Sequence, residues 1–421
     1  QRNKNIDEQL NQFAYINGRL FEEVLPMADF STAMREALLD ACALDWSAIS
    51  PAIFGSLFQS IMDDRARRNL GAHYTSETNI LKLIKPLFLD ELHTEFARIK
   101  GNRNKLFEFH KKLRQLTFFD PACGCGNFLV ISYRELRELE LKVLRADHDL
   151  SAHKGQLAVD VHGLIGVNVD QFFGIEIEEF PAQIAQVALW LVDHQMNLRV
   201  SVEFGLYFAR IPLISSPGIR HDNALRLDWN EVLPAQRCSY VLGNPPFLGK
   251  QYQTPEQKAD LERVVHGIKG AGVLDFVCGW YILVARYLKD TSSRAAFVST
   301  NSITQGEQVA VLWGETQRLG MHTHFAHRTF QWTNEASGKA AVHCVIVGFG
   351  AEGPAVKTIY EYEDIKGVPH AVPAKRINAY LVDAPDVLLN KRRTSICAMP
   401  EMTNGSKPTD GGNLLMNDGE K

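Results

Sequence analysis

The sequence predicts an α/β protein with a parallel, doubly wound sheet, and two features support this prediction. From about residue 71 to residue 350, short apolar runs typical of strands alternate with helical stretches. Such alternation is typical of strand–helix–strand units, whose strands pair in parallel. The last two runs are joined by a short loop without a helix, so we expect them to form an antiparallel final hairpin. The six runs are LTFFD (116–120), FFGIEI (172–177), SYVLG (239–243), AAFVST (295–300), THFAHRTF (323–330) and AVHCVIVGF (341–349).

The helical stretches carry apolar residues three to four positions apart, which is the spacing of one helix face. The clearest stretches cover residues 127–144, 179–196 and 274–290. Residues 147–170 break this pattern and are expected to form an insertion between a helix and the next strand. Residues 1–70 show only helical spacing, so a helical domain is expected to precede the sheet.

The composition is that of an ordinary globular protein, with 45% hydrophobic and 22% charged residues in a chain of 421. No apolar run is long enough to span a membrane. The seven cysteines are scattered and odd in number, which favours a reducing, cytoplasmic location over a disulfide framework. The net charge of −4 does not by itself indicate a nucleic-acid partner.

The strongest local signal is SYVLGNPPF, in which a buried strand ends in Asn244, Pro245, Pro246 and Phe247. Each proline lacks a backbone N–H and fixes φ, so the pair can neither extend the strand nor enter a helix interior. Open α/β sheets bind ligands at the carboxyl ends of their strands. An amide and an aromatic ring are therefore held rigidly where a binding site is expected.

A second signal is LTFFDPACGCGNF, in which a strand ends in Asp120 and a loop containing Gly124 leads into a helix near Asn127. Glycine allows a ligand to approach the backbone, and the helix N-terminus offers unpaired N–H groups. A packed turn without a ligand would have the same pattern, so the loop alone leaves both interpretations open. Cys123 and Cys125 lack the further paired ligands that zinc requires, so no metal site is predicted.

Two acidic residues can complete a ligand site with the glycine loop. Glu176 ends the next predicted strand, from which a carboxylate can accept hydrogen bonds from a ribose diol. Asp222 follows an extended stretch and could accept a hydrogen bond from an adenine amino group. An aspartate in a loop is more often simply solvated, so this second assignment is the weaker of the two.

Two aromatic residues, Phe330 and Trp332, point to the same face of a predicted strand because they are two positions apart. Core packing is the usual arrangement for such rings. The polar segment that follows, residues 333–339, instead favours a position at the rim of a site.

Together these motifs resemble class I S-adenosylmethionine-dependent DNA methyltransferases that act on amino groups. DPACGCGNF (120–128) resembles their cofactor loop, NPPF (244–247) their catalytic motif, and GAHYTS (71–76) their methionine-side motif. The motif order resembles the gamma class of N6-adenine enzymes. The chain looks most like the methyltransferase portion of single-chain type IIL (type IIG-like) restriction–modification enzymes, which implies a class I, Rossmann-like fold.

The resemblance implies three parts: a helical spacer at 1–70, a methyltransferase domain at 71–355 and the start of a truncated target recognition domain at 356–421. It implies double-stranded DNA as the partner, and nuclease and recognition segments that lie outside this chain, which begins with Gln1 rather than Met. The triplets at 140–142 and 256–258 match part of the Glu-x-Lys nuclease motif of type IIL enzymes. Their helical or loop context favours chance, so we expect that this chain does not cleave DNA.

The resemblance also assigns roles to individual residues, with S-adenosylmethionine as the cofactor. The implied catalytic residues are Asn244, Pro245, Pro246 and Phe247, and the implied target-base contacts are Phe247 and Trp332, with Phe330 as the alternative to Trp332. The implied cofactor contacts are His73, Tyr74, Thr75, Asp120, Ala122, Gly124, Asn127, Phe128, Glu176, Ile177, Asp222, Asn223 and Ala224.

The motifs leave the substrate open. An enzyme with the same catalytic motif could act on RNA or on a protein glutamine, and a non-catalytic specificity module could keep the cofactor loop. The intact Asn244 and Phe247 argue against a non-catalytic module. Cytosine-C5 chemistry needs a cysteine after the proline of the catalytic loop, which this chain lacks. Cytosine-N4 enzymes use the same geometry, often with serine in the first position, so Asn244 favours adenine.

Overall fold

The chain folds into a mixed α/β structure in which helices cover both faces of one nine-stranded sheet. The computed structural model describes residues 29–44, 53, 75–150, 165–204, 216–332 and 342–392. The strands are β1 (Phe118–Asp120), β2 (Phe172–Glu176), β3 (Gly218–His221), β4 (Tyr240–Gly243), β5 (Arg294–Thr300), β6 (His322–Trp332), β7 (Val342–Gly350), β8 (Lys357–Glu361) and β9 (His370–Ala374). The helices are α1 (Thr32–Ala43), α2 (Glu77–Ile84), α3 (Asp90–Ile99), α4 (Arg103–Gln115), α5 (Asn127–Leu150), α6 (Glu179–Phe204), α7 (Pro255–Val264), α8 (Cys278–Tyr287) and α9 (Gln308–Arg318).

The strand order across the sheet is β3-β2-β1-β4-β5-β7-β6-β8-β9. Strands β1 to β5 pair in parallel, which confirms the doubly wound sheet. β7 lies between β5 and β6 and is antiparallel to both, which confirms the predicted hairpin. Since β6 therefore runs in the direction of β5, its last residue, Trp332, lies at the same edge of the sheet as the end of β4.

The hairpin is not the end of the sheet, contrary to the expectation from the sequence. β8 pairs in parallel with β6, and β9 pairs antiparallel with β8. An open β6 edge would expose a row of unpaired backbone groups, and β8 covers it. The boundary predicted at residue 356 thus falls just before two strands of the same sheet, and the compact unit that contains them extends to Leu388.

The two faces of the sheet carry separate apolar cores, because neighbouring residues of a strand point to opposite sides. Phe118 stacks on Phe172 at 4.9 Å between ring centroids, in the core shared with α2 to α6. Phe119 meets Trp229 edge to face at 5.3 Å, in the core shared with α7 to α9. Burying both faces fixes the strand ends, and with them the loops at the carboxyl edge.

Helices α4, α5 and α6 bury a group of charged side chains, here named the Arg137 cluster. Arg137 Nη1 donates to Asp193 Oδ1 at 3.0 Å, and Arg137 Nε lies 3.1 Å from Glu140 Oε2. Glu140 Oε1 lies 2.7 Å from His110 Nε2 and accepts a hydrogen bond from the backbone N–H of Gly166. Glu140 thereby binds the chain within the predicted insertion 147–170, of which residues 151–164 lie outside the described residues.

Of the helical domain predicted for residues 1–70, the structure describes mainly α1. Its N-cap is Ser31, whose Oγ accepts a hydrogen bond from Met34 N at 3.3 Å. The remainder of this prediction lies outside the described residues, except Ile53. In the part of the chain that the structure describes, no helix is both long and apolar enough to cross a membrane.

Candidate active site

The ends of β1, β2 and β4 meet at the carboxyl edge of the sheet. Gly124 N, in the loop after β1, donates to Glu176 Oε2 at 2.8 Å. Gly243, the last residue of β4, lies so close to Asp120 that a Cβ there would be 2.4 Å from Asp120 Oδ1. The structure therefore brings together the glycine loop, the predicted acidic residue and the start of the NPPF motif.

The glycine loop is shaped by its own hydrogen bonds and by α6. Asp120 Oδ1 accepts a hydrogen bond from Ala122 N at 3.0 Å. Gly126 has a φ of +82°, and a Cβ there would lie 2.9 Å from Ala185 Cβ, so the start of α5 packs directly on α6. Gly124, at a φ of +54°, has nothing within 4 Å of its missing Cβ. Its backbone therefore faces open space that a ligand can enter.

The loop brings two carboxyl groups together, those of Asp120 and Glu176, and neither forms an ion pair with a cation among the described residues. Burial raises the pKa of Asp120 to about 8; the hydrogen bond from Ala122 opposes this rise, and the nearby Glu176 adds to it. Burial also raises the pKa of Glu176. Asp120 Oδ2 and Asn127 Oδ1 are buried acceptors with no hydrogen-bond partner among the described residues. A cationic hydrogen-bond donor would satisfy this set of groups.

The thiols of the loop are structural. Burial raises the pKa of Cys125 to about 12, and it raises the pKa of Cys123 well above the ordinary value of a thiol. Neither thiol is therefore a nucleophile near neutral pH. The described residues contain no group of three or more His, Cys, Asp or Glu side chains that could hold a metal ion.

The predicted adenine-side residues follow β3. Asp222 N donates to Glu176 O at 2.9 Å, so Asp222 lies beside the acidic residue. Asn223 is engaged in its own loop, since its Nδ2 donates to Asp260 Oδ2 at 2.8 Å. Ala224 is buried and its carbonyl accepts a hydrogen bond from Trp229 Nε1. The half-buried Asp222 is engaged locally too, since its Oδ1 accepts a hydrogen bond from Asn223 N at 2.8 Å and its Oδ2 lies 3.5 Å from Arg220 Nε.

Three further predicted cofactor residues differ in exposure. Ile177, next to Glu176, is 51% exposed and so offers an apolar surface to a ligand. Phe128 is buried in the core on the side of α2 to α6. His73 and Tyr74 lie outside the described residues.

The NPPF motif directly follows β4, as predicted. Asn244 Nδ2 donates to Thr75 Oγ1 at 3.4 Å, which joins the motif to the segment that leads into α2. Asn244 Oδ1 is buried and has no hydrogen-bond partner among the described residues. Phe247 is half-buried and packs against both cores. The motif thus presents an unsatisfied acceptor beside an aromatic ring.

The expectation that Phe330 and Trp332 line a rim is wrong, because both rings are buried in the core shared with α2 to α6. Phe330 stacks on Tyr362 at 5.3 Å, and Lys82 Nζ lies 4.5 Å from its ring centroid. Trp332 is also buried, although its Nε1 has no hydrogen-bond partner in the described ranges. The i, i+2 spacing correctly indicated that the two rings share a face of the strand. The polar segment at 333–339 did not correctly indicate whether that face is exposed.

The sequence pattern also missed the contacts that fix the chain beyond Phe247. The backbone of Leu248 is bound by Asp275, Phe276 and Gln253. Asp275 precedes a helix in the sequence, so its local pattern indicates only a helix cap. Its contact with a loop 27 positions away has no signal in the sequence.

Comparison with known proteins places the chain in a family. The family model "MmeI, DNA-methyltransferase domain" matches residues 96–361. The chain therefore belongs to the MmeI DNA-methyltransferase domain family.

Two relatives illustrate the similarity. The chain is 38% identical over 414 residues to the DNA methyltransferase A of Bacillus subtilis (strain 168), covering 97% of this chain and 46% of that protein. It is similar to the solved structure of the type IIL restriction–modification enzyme MmeI in complex with DNA, with 64% identity and a TM-score of 0.91. That match covers 100% of this chain and 56% of the other, so the chain spans about half the length of these relatives.

Proposed function

We propose that this member of the MmeI DNA-methyltransferase family transfers a methyl group from S-adenosylmethionine to the N6 amino group of an adenine in a specific DNA sequence. It would act as the modification part of a restriction–modification enzyme. The observation that carries the proposal is the buried Oδ1 of Asn244, just after β4, which has no hydrogen-bond partner among the described residues. A buried acceptor without a partner costs free energy, so its presence indicates a donor supplied by a ligand.

The residues around the glycine loop fit the proposed cofactor. When bound, S-adenosylmethionine supplies a methyl group attached to a positively charged sulfur. Asp120 Oδ2 and Asn127 Oδ1 are the buried acceptors suited to its amino group, since that group is a cationic donor. Glu176 would accept hydrogen bonds from the ribose hydroxyls, and Asp222 from the adenine amino group.

The NPPF motif would act on the target amine through fixed acceptors. The amino nitrogen of adenine is a weak nucleophile because its lone pair is delocalised into the ring. Asn244 Oδ1 and the Pro245 carbonyl would accept hydrogen bonds from its two N–H groups. Because these acceptors are already in place, they would stabilise the positive charge that develops on the nitrogen without having to reorganise. Phe247 would stack on the base, which is worth roughly 1–3 kcal/mol.

The base must leave the duplex to reach this motif, at a cost of a few kcal/mol in unstacking. Trp332 lies at the correct edge of the sheet for the second face of the base, but its ring is buried. We therefore propose Phe247 as the principal stacking residue. Trp332 would require a rearrangement of its surroundings to contact the base.

The relatives support DNA as the substrate. One is described as a DNA methyltransferase, and MmeI was solved in complex with DNA. The parts of the proposal that concern residues 1–70 as a spacer and 356–421 as the start of a recognition domain rest on the family resemblance.

The first experiment is a calorimetric titration of the chain with S-adenosylmethionine, alongside Asp120→Ala. We expect micromolar binding by the wild type and none by the variant. Absence of binding by a well-folded wild type would contradict the assignment of the cofactor.

The second experiment uses tritiated S-adenosylmethionine and bacterial genomic DNA, followed by nucleoside analysis. Label in N6-methyladenine supports the proposal. Label in N4-methylcytosine would overturn the choice of base, and label found only with RNA or protein substrates would overturn the choice of DNA.

A further inference from the structure

The chain just beyond the NPPF motif is held by side chains that lie outside the motif. Leu248 N donates to Asp275 Oδ1 at 2.9 Å. Leu248 O accepts hydrogen bonds from Phe276 N at 3.1 Å and from Gln253 Nε2 at 3.0 Å. Both backbone polar groups of the residue next to Phe247 are therefore bound.

Asp275 connects this loop to two helices. The same Oδ1 accepts a hydrogen bond from Val277 N at 3.1 Å, just before α8. The backbone N–H of Asp275 donates to Gln308 Oε1 at 3.2 Å, at the first residue of α9. Both helices pack on the sheet through the core that contains Phe297. Leu248 is thus fixed relative to the sheet itself.

The Asp275 carboxylate is buried, which is unfavourable for a charge unless its hydrogen bonds compensate. Burial raises the pKa of Asp275, while hydrogen bonds from the N–H groups of Val277, Leu248 and Phe276 oppose the rise. A hydrogen bond to an ionised acceptor is about twice as strong as a neutral one. A carboxylate therefore holds this loop more firmly than an amide would.

We propose that Asp275, assisted by Gln253, is a positioning residue that holds Asn244 to Phe247 in register with the target base. The inference rests on the proposed methyl-transfer function. The motif then has two anchors: Thr75 on the side of Asn244, and Asp275 on the side of Phe247. Fixed acceptors stabilise a developing charge only if they do not move, and a misplacement of about 1 Å can reduce a rate about 100-fold.

The test compares Asp275→Ala, Asp275→Asn and Gln253→Ala with the wild-type chain. Asp383→Ala is the matched control, because Asp383 also binds two backbone N–H groups, those of Lys375 and Arg376, in the loop after β9. Three quantities are measured: the Kd for S-adenosylmethionine, the single-turnover rate of methyl transfer to genomic DNA, and amide hydrogen exchange over residues 244–253.

For Asp275→Ala we expect a transfer rate about 10- to 100-fold lower, with a Kd for the cofactor within about threefold of the wild type. Asp275→Asn keeps an oxygen acceptor, so its transfer rate should be about a tenth of the wild-type rate or higher. Exchange should rise over 244–253 in the alanine variant and remain unchanged over 118–130. Asp383→Ala should match the wild type in rate and Kd.

Full transfer activity in Asp275→Ala and Gln253→Ala would overturn the inference, and so would equal losses of rate and cofactor affinity, which indicate general unfolding. If the wild type transfers no methyl group to any substrate, the proposed function fails, and a catalytic positioning role fails with it. Unchanged exchange over 244–253 in Asp275→Ala would independently refute the loop anchor. If Asp275→Ala does not fold, Asp275→Asn and Gln253→Ala decide the same question.

Discussion

Helix α5 connects two buried polar regions that differ in how their charges are balanced. In the Arg137 cluster, in the middle of the helix, the buried Arg137 faces both Asp193 and Glu140. Near the N-terminus of the helix lie the buried Asp120 and the half-buried Glu176, and neither forms an ion pair with a cation in the described parts of the chain.

The difference shifts the pKa values of the carboxyl groups in opposite directions. Burial acts to raise the pKa of Glu140, but the hydrogen bond to His110 and the charge of Arg137 prevail and lower it. Burial raises the pKa of Asp120 to about 8. In the first region the charges balance one another within the fold, whereas under the proposed function the second receives its positive charge from the cofactor. Substitutions in the Arg137 cluster should therefore lower mainly the free energy of unfolding. Substitutions at the loop and the NPPF motif should lower mainly cofactor affinity or the rate of methyl transfer.

The largest effect is expected for Arg137→Met. Removing this charge leaves the buried Asp193 without its counter-ion and Glu140 with His110 alone, which should lower the free energy of unfolding by about 3–5 kcal/mol. Urea unfolding followed by circular dichroism measures this change. Replacing Arg137, Glu140 and Asp193 together by apolar side chains should lower the free energy of unfolding by less. If Arg137→Met alone lowers it by less than about 1 kcal/mol, the contrast between the two regions is wrong.

Next in size is Asn244→Ala. Asn244 Oδ1 makes no hydrogen bond within the described structure, so the substitution removes only the hydrogen bond from Nδ2 to Thr75, and the free energy of unfolding should fall by about 0.5–1.5 kcal/mol. The rate of methyl transfer should fall about 100- to 1,000-fold, as it does when one fixed group that stabilises a developing charge is removed. A variant that unfolds as readily as Arg137→Met, or that keeps its activity, would contradict this assignment.

Asp120→Asn should weaken cofactor binding about 10- to 100-fold, because a charge-assisted hydrogen bond worth about 1.5–3 kcal/mol is replaced by a weaker one. Calorimetric titration above pH 8, where the Asp120 carboxyl is ionised, gives the clearest comparison. Unaltered affinity would mean that the cofactor's cationic group binds elsewhere.

The same variant should change how stability depends on pH. Asp120 titrates near pH 8 in the folded chain and near pH 4 when unfolded, so between these values the folded state binds the extra proton. Its contribution to stability is present at low pH and is lost as pH rises towards 8. Relative to the wild type, Asp120→Asn should therefore gain in Tm from pH 5 to pH 8. A constant difference in Tm across this range would be inconsistent with the raised pKa.

The smallest effect is expected for Thr75→Val, which keeps the shape of the side chain but removes the hydroxyl that accepts a hydrogen bond from Asn244 Nδ2. One neutral hydrogen bond is worth about 0.5–1.5 kcal/mol, so the transfer rate should fall about 3- to 10-fold. Thr75→Ser is the control that should retain the rate. A loss as large as that of Asn244→Ala would indicate a direct role for Thr75 in the reaction.

Several expectations from the sequence were accurate because they depended on local patterns. The alternation of strands and helices predicted the parallel sheet, and the short connection between β6 and β7 predicted their antiparallel pairing. β8 and β9 were missed, since short edge strands carry a weak apolar pattern; in β8 only Ile359 is fully buried. The rim position of Phe330 and Trp332 was wrong, because exposure depends on the other elements that cover a strand.

By itself, the sequence determined which groups lie at the strand ends: Asp120 at the end of β1, Glu176 at the end of β2, and Asn244 with two prolines after β4. The order of residues along the chain and the apolar pattern of each strand are enough to place these groups at the strand ends. Only the tertiary structure decided that Asn244 meets Thr75, 169 positions away, and that Leu248 is bound by Asp275. Hydrogen bonds between such distant residues depend on how the sheet and helices pack, and no local pattern records them.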